Sequence, residues 1–210
     1  MKRNIAIIDY GVGNTHSVKE ALSFLHANVI ISNDPEKLSK ADALILPGVG
    51  AYEAAMDNLH KRDLAGPLHE IVVENKKPIL GICLGMQLLA DYSEENGYHE
   101  GLGWIKGKVV RLETMHDIRV PHVGWNDVEV LSEAPLFDRI KGEANFYFDH
   151  SYHFIPAMEE HVVARANYGN SIVAAVRKDN ICGVQFHPEK SQITGLRLLK
   201  GFINSFTIHA

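Results

Sequence analysis

The chain has 210 residues, of which 46% are hydrophobic, and a formal net charge of -5 from 26 acidic and 21 basic residues. This length and apolar content suffice for a substantial core, so we predict a single domain over residues 1–210. The basic residues form no block, which argues against nucleic acid or a membrane surface as a partner. Two cysteines are too few for a disulfide framework, and the apolar run near the N-terminus ends at Asp9, too early for a signal peptide. We therefore expect a cytoplasmic protein.

The first half of the chain alternates short apolar runs with segments of helical spacing. The apolar runs predict strands at residues 5–8, 28–31, 43–46 and 78–82. One helical stripe consists of Val18, Ala21, Leu22 and Leu25, and further helical packing involves Leu59, Leu64, Leu68, Ile71 and Val72. This βαβαβαβ order predicts a parallel sheet.

From about Gly103 the chain changes to short alternating runs that indicate antiparallel or mixed strands. These runs are residues 108–112, 127–131 and 146–148, followed by a hairpin of residues 172–176 and 181–186 and a closing amphipathic helix with Leu196, Leu199, Phe202, Ile203 and Phe206. We predict an α/β fold with an open, mostly parallel central sheet flanked by helices and with added antiparallel or mixed strands in the second half.

A cysteine between glycines follows the fourth predicted strand, in the stretch Gly81-Ile82-Cys83-Leu84-Gly85. A strand, a sharp turn and a helix over residues 86–90 are the context of a nucleophile elbow, here with sulfur in place of the serine oxygen. The glycines allow the turn, and a helix N-terminus beside the thiol would favour the thiolate. Read alone, such a cysteine is a packing residue. The flanking glycines favour its interpretation as a nucleophile.

A histidine and a carboxylate lie two residues apart in Gly183-Val184-Gln185-Phe186-His187-Pro188-Glu189, at the end of another apolar strand. Extended geometry would place both side chains on one face. A nucleophilic thiol needs a group that accepts and returns its proton, and a carboxylate can orient that imidazole. Taken alone, the pair would be a strand-end histidine and a solvated glutamate. Cys182, on the same strand, is expected to be buried.

The turn Pro47-Gly48-Val49-Gly50 follows the third predicted strand. Its glycines allow backbone N–H groups to point at a reacting centre, so the turn is a candidate oxyanion hole. The N–H of Leu84, which follows the candidate nucleophile, would be a second donor. By itself the pattern is typical of an ordinary turn.

Together, these three stretches resemble the class I glutamine amidotransferases, and the resemblance runs from Ile5 to about Phe206. Three further stretches are similar to the glutaminase subunits of imidazole glycerol phosphate synthase, an enzyme of histidine biosynthesis. They are Asp9-Tyr10-Gly11-Val12-Gly13-Asn14, Pro121-His122-Val123-Gly124-Trp125-Asn126 and His187-Pro188-Glu189-Lys190-Ser191. Asp149, before His150-Ser151-Tyr152, departs from the apolar residue that is more frequent in the family.

The resemblance implies that Cys83 is the nucleophile, that His187 is the acid and base, and that Glu189 orients His187. It implies that L-glutamine is held by Gln87 and by the backbone of Gly48, Val49, Gly50, His150, Ser151 and Tyr152. The implied reaction gives glutamate and ammonia through a glutamyl thioester, without a cofactor. The scattered histidines show no ligand spacing, so no metal site is expected.

The resemblance also implies a partner. The ammonia would pass through a channel to a (β/α)8-barrel cyclase in a heterodimer, which makes imidazole glycerol phosphate and an aminoimidazole carboxamide ribotide. The interface is expected to include Asn14, Pro121, His122, Trp125 and Lys190.

Three other functions remain open from the sequence. The chain could be a paralogue with the same chemistry that feeds another synthase, such as one that amidinates a surface sugar. It could be a catalytically idle regulatory subunit, although all three triad residues are retained. It could also be a free-standing cysteine hydrolase that acts on γ-glutamyl peptides.

Overall fold

The computed structural model describes residues 2–114, 118–132, 134–140 and 144–206. The α-helices are α1 (Thr15–Phe24), α2 (Pro35–Lys40), α3 (Tyr52–Lys61), α4 (Ala65–His69), α5 (Leu84–Gln87) and α6 (Gln192–Ser205). The strands are β1 (Asn4–Ile8), β2 (Asn28–Ser32), β3 (Ala43–Leu46), β4 (Ile79–Ile82), β5 (Tyr92–Ser93), β6 (His99–Glu100), β7 (Gly107–Arg111), β8 (His122–Val130), β9 (Asn145–His150), β10 (Tyr152–Pro156), β11 (Val162–Tyr168), β12 (Asn170–Lys178) and β13 (Ile181–Val184). A π-helical turn (Glu70–Glu74) and two 3₁₀ turns (Glu159–His161 and Pro188–Lys190) complete the elements.

Within these ranges the strands form a nine-stranded sheet in the order β2-β1-β3-β4-β13-β12-β11-β8-β9 and a smaller sheet in the order β10-β7-β5-β6. The strands from β2 to β13 in the large sheet pair in parallel, whereas those from β12 to β9 extend it in antiparallel pairing. This arrangement confirms the predicted α/β fold. It also confirms the hairpin, because β12 and β13 are antiparallel neighbours.

The core lies on both faces of the parallel strands. Along β1, Ile5 and Ile7 pack into one cluster with α1 and α6, whereas Ala6 and Ile8 pack into the other with α2, α3 and α4. A parallel strand that is covered on both faces has no solvent side, so its residues are apolar without alternation. This explains why β1, β3 and β4 were predicted from the sequence to within a residue or two; β2 is an exposed edge strand and was predicted from its short apolar run alone.

Several predicted boundaries were wrong. The strand expected at 127–131 is the end of β8, which begins at His122. The first part of β8 was missed because Pro121 and Gly124 are residues typical of turns, and Gly124 has a positive φ of 138°. The helix after the cysteine spans only Leu84–Gln87. β13 ends at Val184 rather than at 186.

Other elements were missed or shifted. Strands β10 and β11 lack a clear apolar period, since the β11 stretch contains Arg165 and Asn167. In the closing helix the buried face includes Leu198, which was not predicted, whereas Leu196 is only partly buried and Phe206 lies just beyond the helix end. No helix in the described part of the chain is long and apolar enough to cross a membrane. Location in the cytoplasm stays a prediction.

The parallel strands direct their carboxyl ends to one edge of the sheet. Loops that leave β1, β3, β4 and β13 carry Tyr10, Pro47, Cys83 and His187, respectively. Ligand sites of open α/β sheets lie at this edge, because loops from neighbouring strands converge there. The candidate residues are therefore brought together by strand order.

Candidate active site

Cys83 occupies a strained turn between β4 and α5, with φ 55° and ψ -112°. A Cβ atom at Gly81 would lie 2.6 Å from the carbonyl oxygen of Gly85, and one at Gly85 would collide with the carbonyl of Leu46. Glycine is therefore required at both positions for the turn to close. Backbone strain of this kind costs roughly 1–3 kcal/mol and persists where the surrounding structure enforces it. The geometry is that of the predicted nucleophile elbow.

His187 and Glu189 form a buried pair in which Nδ1 of the imidazole lies 2.8 Å from Oε1 of the carboxylate. The side chains are each only 2% exposed. The 3₁₀ turn Pro188–Lys190, not the extended geometry expected from the sequence, brings the carboxylate back to the ring. Three hydrogen bonds fix the His187 backbone: its N–H donates to the Tyr147 carbonyl, and its carbonyl accepts from Ser191 Oγ and from the Lys190 N–H.

The electrostatics of His187 are set by opposing effects. Burial disfavours the imidazolium, but hydrogen bonds to Cys83 and Glu189 and the negative charges of these two groups outweigh it. The pKa of His187 is therefore raised well above its ordinary value of about 6.5. Because Nδ1 contacts Glu189, Nε2 is the nitrogen left to exchange a proton with the thiol. The arrangement favours a protonated imidazole beside the sulfur of Cys83.

A cavity of about 290 Å³ opens beside the thiol. Its lining comprises Val49, Gly50, Cys83, Leu84, Gln87, Glu95, Pro121, Asp149, His150, Ser151, Tyr152 and His187. The structure thus gathers most of the residues predicted to bind glutamine around the nucleophile. Gly48 instead packs against the start of α5, where an added Cβ would be 2.7 Å from the backbone nitrogen of Gly85. In the described ranges no cluster of three or more His, Cys, Asp or Glu side chains could hold a metal ion.

The turn after β3 has one crowded end and one open end. Tyr10 is fully buried, and its hydroxyl donates to the Pro47 carbonyl at 2.6 Å, next to the crowded Gly48. Gly50 has a φ of 95° with nothing within 4 Å of the Cβ position, and Val49 is 41% exposed. Rotation of a peptide is therefore easiest around Val49 and Gly50, whereas Tyr10 anchors the start of the turn.

We expect Tyr10→Phe to lower kcat for glutamine hydrolysis by roughly tenfold, because the turn that carries the candidate oxyanion donors loses a buried hydrogen bond. Steady-state kinetics with and without the substitution would measure this. Tyr52→Phe is the matched control. Tyr52 is equally buried, but its hydroxyl has no hydrogen-bond partner among the described residues. Equal rates for wild type and Tyr10→Phe would show that the anchor does not affect catalysis.

Sequence reasoning missed Gln185, a fully buried amide beside the thiol. Its Nε2 lies 3.8 Å from Cys83 Sγ, and its Oε1 accepts from Gln87 Nε2 at 3.0 Å. The available signal was one amide within the apolar run that ends at Phe186. Gln87 also donates to the Tyr152 carbonyl at 2.8 Å, so its amide nitrogen already supports the cavity wall.

Two acidic residues of the cavity were also not assigned from the sequence. Glu95 accepts a hydrogen bond from the Tyr52 backbone N–H at 2.9 Å, and it lies in a polar loop without a recognisable motif. The Asp149 carbonyl accepts from Cys83 Sγ at 3.8 Å. The Asp149 carboxylate lies 3.8 Å from Lys190 Nζ, so the unusual residue before His150 pairs with a lysine of the same chain.

The residues predicted at a partner interface lie in different environments. Trp125 is 48% exposed beside the exposed Val123. Lys190 is partly exposed and also lies 5.5 Å above the Tyr147 ring. Asn14 caps the N-terminus of α1, accepting from the N–H of Ser17. These three residues lie just before α1, on β8 and in the 3₁₀ turn after β13.

The other two residues of that set differ in exposure, since Pro121 is exposed and His122 is buried. Pro121 lines the cavity rather than only the outer surface. The His122 side chain is buried, with 2% exposure. Because its side chain points into the protein rather than to solvent, His122 is not expected to contact a partner directly.

The elbow, the buried histidine–carboxylate pair and the α/β sheet are the arrangement that the sequence predicted for a cysteine-dependent hydrolase. A family model, glutamine amidotransferase class-I, matches residues 6–205, and the chain belongs to that family.

Relatives over nearly the whole chain give a narrower comparison. The chain is 47% identical to imidazole glycerol phosphate synthase subunit HisH 1 of Campylobacter jejuni (strain RM1221), covering 95% of this chain and 98% of that protein. It is also 47% identical to imidazole glycerol phosphate synthase subunit HisH of Sulfurimonas denitrificans, covering 94% and 96%, respectively.

Solved structures agree in fold. PurLQS from Thermotoga maritima matches with a TM-score of 0.77 at 19% identity, covering 99% of this chain and 100% of that chain. A crystal structure described as a glutamine amidotransferase matches with a TM-score of 0.74 at 23% identity, covering 95% and 96%.

Proposed function

We propose that this chain is the glutaminase subunit of imidazole glycerol phosphate synthase. The observation that carries the proposal is the strained Cys83 beside the buried His187–Glu189 pair, in a cavity of small-molecule size. The similarity to the Campylobacter and Sulfurimonas subunits over nearly the full length supports the choice of synthase.

The first half of the reaction forms a thioester. The Cys83 thiolate attacks the side-chain amide carbon of glutamine, and the resulting oxyanion is stabilised by the Leu84 N–H and by an N–H of the Val49–Gly50 segment. The His187 imidazolium, which holds the proton taken from the thiol, donates it to the departing nitrogen. The carbon–nitrogen bond breaks, ammonia leaves, and a γ-glutamyl thioester remains on Cys83.

The second half regenerates the thiol. Neutral His187 accepts a proton from water as the oxygen attacks the thioester, and the sulfur leaves as a thiolate beside the imidazolium. Glutamate is released. The chemistry uses only the triad, backbone donors, glutamine and water, so no cofactor is required.

Glutamine fits the charges of the cavity. The Glu95 carboxylate is a partner for the α-ammonium group, and the N–H groups of the His150-Ser151-Tyr152 segment are candidates for the α-carboxylate. This orientation would leave the side-chain amide to reach Cys83. It accounts for a site that contains an acidic residue away from the triad.

The ammonia requires a partner, because protonation in bulk water would end its nucleophilicity. We propose a (β/α)8-barrel cyclase as the partner, docked over the cavity mouth at Val49 and the exposed β8 residues Val123 and Trp125. Asn14 and Lys190 would lie at the edge of this surface. The proposed assembly is a heterodimer in the cytoplasm.

We expect the isolated chain to be a slow glutaminase that its liganded partner activates about 10²-fold or more, because one misaligned oxyanion donor lowers the rate by roughly 10²- to 10³-fold. The open Gly50 end of the turn allows such a misalignment. The measurement is steady-state glutamate release by the chain alone, with the cyclase, and with the cyclase plus an acceptor analogue. A chain that alone matches the liganded complex would be a free-standing hydrolase.

A paralogous subunit that feeds another synthase is the second candidate. Relatives are numbered, as in subunit HisH 2 of Pseudomonas aeruginosa at 45% identity, which implies more than one such subunit in some organisms. The same assay discriminates the two candidates when the acceptor is supplied and the product is identified by mass spectrometry. Imidazole glycerol phosphate supports the first candidate. Activation only by a different synthase, such as a sugar-amidinating enzyme, supports the second.

A further inference from the structure

A buried pair of histidines connects β8 to the cavity wall. His122 Nδ1 lies 3.1 Å from His150 Nε2, and His150 Nδ1 lies 2.8 Å from the Tyr152 carbonyl oxygen. At the other end, His122 Nε2 lies 3.3 Å from Asn126 Nδ2. The two histidines are only 2% and 6% exposed.

The contacts determine which nitrogen carries each proton. The Tyr152 carbonyl only accepts, so His150 Nδ1 must donate to it, and in a neutral ring Nε2 then accepts. His122 Nδ1 must therefore donate to His150, which leaves His122 Nε2 as an acceptor for Asn126. The Asn126 amide is oriented by its other contacts, since Oδ1 accepts from Asp127 N–H and Nδ2 donates to the Asn167 carbonyl.

Both rings are held in the neutral form that this chain of hydrogen bonds requires. Burial lowers the pKa of His122 to about 4. Burial likewise lowers the pKa of His150 to about 3, even though the hydrogen bond to the Tyr152 carbonyl acts in the opposite direction. Every hydrogen bond therefore runs one way, from Asn126 to Tyr152.

Stacking holds the plane of the His122 ring. The ring lies between Tyr168 and Phe148, with centroid distances of 3.9 Å and 4.6 Å. Tyr168 is itself held, because its hydroxyl donates to the Arg119 carbonyl at 2.7 Å. Within this plane, the contacts of Nδ1 with His150 and of Nε2 with Asn126 decide which edge of the ring faces His150.

The chain of hydrogen bonds ends on a group that also belongs to the network around the nucleophile. The Tyr152 carbonyl accepts from Gln87 Nε2 at 2.8 Å, and the same nitrogen contacts Gln185, whose amide lies beside Cys83 Sγ. The Tyr152 carbonyl therefore accepts one hydrogen bond from His150, which contacts β8, and one from Gln87, which belongs to the network around Cys83. Both donors bear on the segment that lines the cavity.

We propose that His122 is a positioning residue for the amidotransferase reaction: its Nδ1–H selects the His150 tautomer that holds the Tyr152 carbonyl and so sets the backbone of the His150-Ser151-Tyr152 segment that binds substrate. This inference rests on the proposed function, because that segment is assigned to glutamine there. His122 acts on the substrate only through His150.

Substitution of His122 by asparagine or by glutamine distinguishes the roles of its two ring nitrogens. The asparagine amide reaches the place of Nδ1 and can still donate to His150, whereas the glutamine amide reaches the place of Nε2. In the complex with the cyclase and acceptor analogue, we expect His122→Gln to raise KM for glutamine roughly tenfold with little change in kcat, as for one lost buried hydrogen bond. His122→Asn should stay within about threefold of wild type.

The control is His161→Gln, which removes another buried histidine, one whose Nδ1 has no hydrogen-bond partner among the described residues. Its KM should not change. Equal rises in KM for His122→Asn and His122→Gln would reduce His122 to a packing residue and overturn the proposal.

A measurement on the wild-type chain does not depend on the folding of any variant. Nitrogen-15 NMR at neutral pH should show His122 and His150 both neutral and both protonated at Nδ1. A proton at Nε2 of either ring would overturn the proposal. Because this readout needs no turnover, it stays separate from failure of the proposed function, which would appear as a wild-type complex without glutaminase activity.

Discussion

Cys83→Ala should abolish glutamine-dependent synthesis by the complex, lowering it by about 10⁴-fold or more, while synthesis from high ammonium stays largely intact. The thiol forms the covalent intermediate, so without it no ammonia is released from glutamine. The cyclase does not need the thiol when ammonia is supplied. Product formation is measured once with glutamine and once with ammonium as the nitrogen source. Loss of synthesis from both sources would point to a docking or folding defect.

Cys182→Ala is the matched control for this experiment. Cys182 was predicted to be buried, but it is only partly buried, because its side chain borders a small surface cavity next to Phe202. Burial nevertheless raises the pKa of its thiol to about 11, so the thiolate is scarce at neutral pH. We expect wild-type rates for this variant. A glutamine analogue with an electrophilic side chain should label Cys83, and labelling mainly at Cys182 by mass spectrometry would contradict the assignment.

His187→Ala should approach the Cys83→Ala defect, whereas Glu189→Gln should retain measurable turnover. His187 transfers the protons, while Glu189 only orients the ring and stabilises its charge. Among the described residues, Glu189 Oε2 has no hydrogen-bond partner, so the carboxylate acts mainly on His187. Because the triad acts as a unit, the double variant should be little worse than His187→Ala.

The pH dependence gives a second readout for Glu189. Cys83 and Glu189 raise the pKa of His187, so removal of the Glu189 charge lowers that pKa. The active thiolate–imidazolium pair is lost when the imidazolium deprotonates at alkaline pH. The alkaline limb of the kcat/KM profile should therefore move to lower pH in Glu189→Gln. An unchanged limb, or a wild-type rate in either variant, would remove that residue from the catalytic site.

Local sequence was sufficient for the parts of the fold and site that depend on neighbouring residues. Strands β1, β3 and β4 were predicted because a parallel strand covered on both faces is a continuous apolar run. The turn at Cys83 was predicted because it requires glycine at positions 81 and 85, where a side chain would collide with the backbone. The His187–Glu189 pair was found because two residues of chain separation restrict how far apart the side chains can be.

The antiparallel strands, and the residues that line the site without a motif, were harder to predict from the sequence. β8 contains Gly124 and follows Pro121, so the sequence of its first half resembles a turn rather than a strand. Gln185 and Glu95 carry no motif of their own. Their positions in the site follow from what packs against them.

The sequence by itself determined the α/β class, because it follows from local patterns of apolar residues and turn residues. Its resemblance to a known family predicted the triad residues, and their catalytic roles stay a prediction. Only the tertiary structure decided that Tyr10 anchors Pro47, that Gln87 contacts Gln185 and that His122 donates to His150. These partners are separated by 37, 98 and 28 residues, respectively. The His122–His150 contact depends on the register of β8 and β9, since a shift of one residue would turn each side chain to the other face of the sheet. The other two contacts join loops and α5, which the order of the strands brings to the same edge of the sheet.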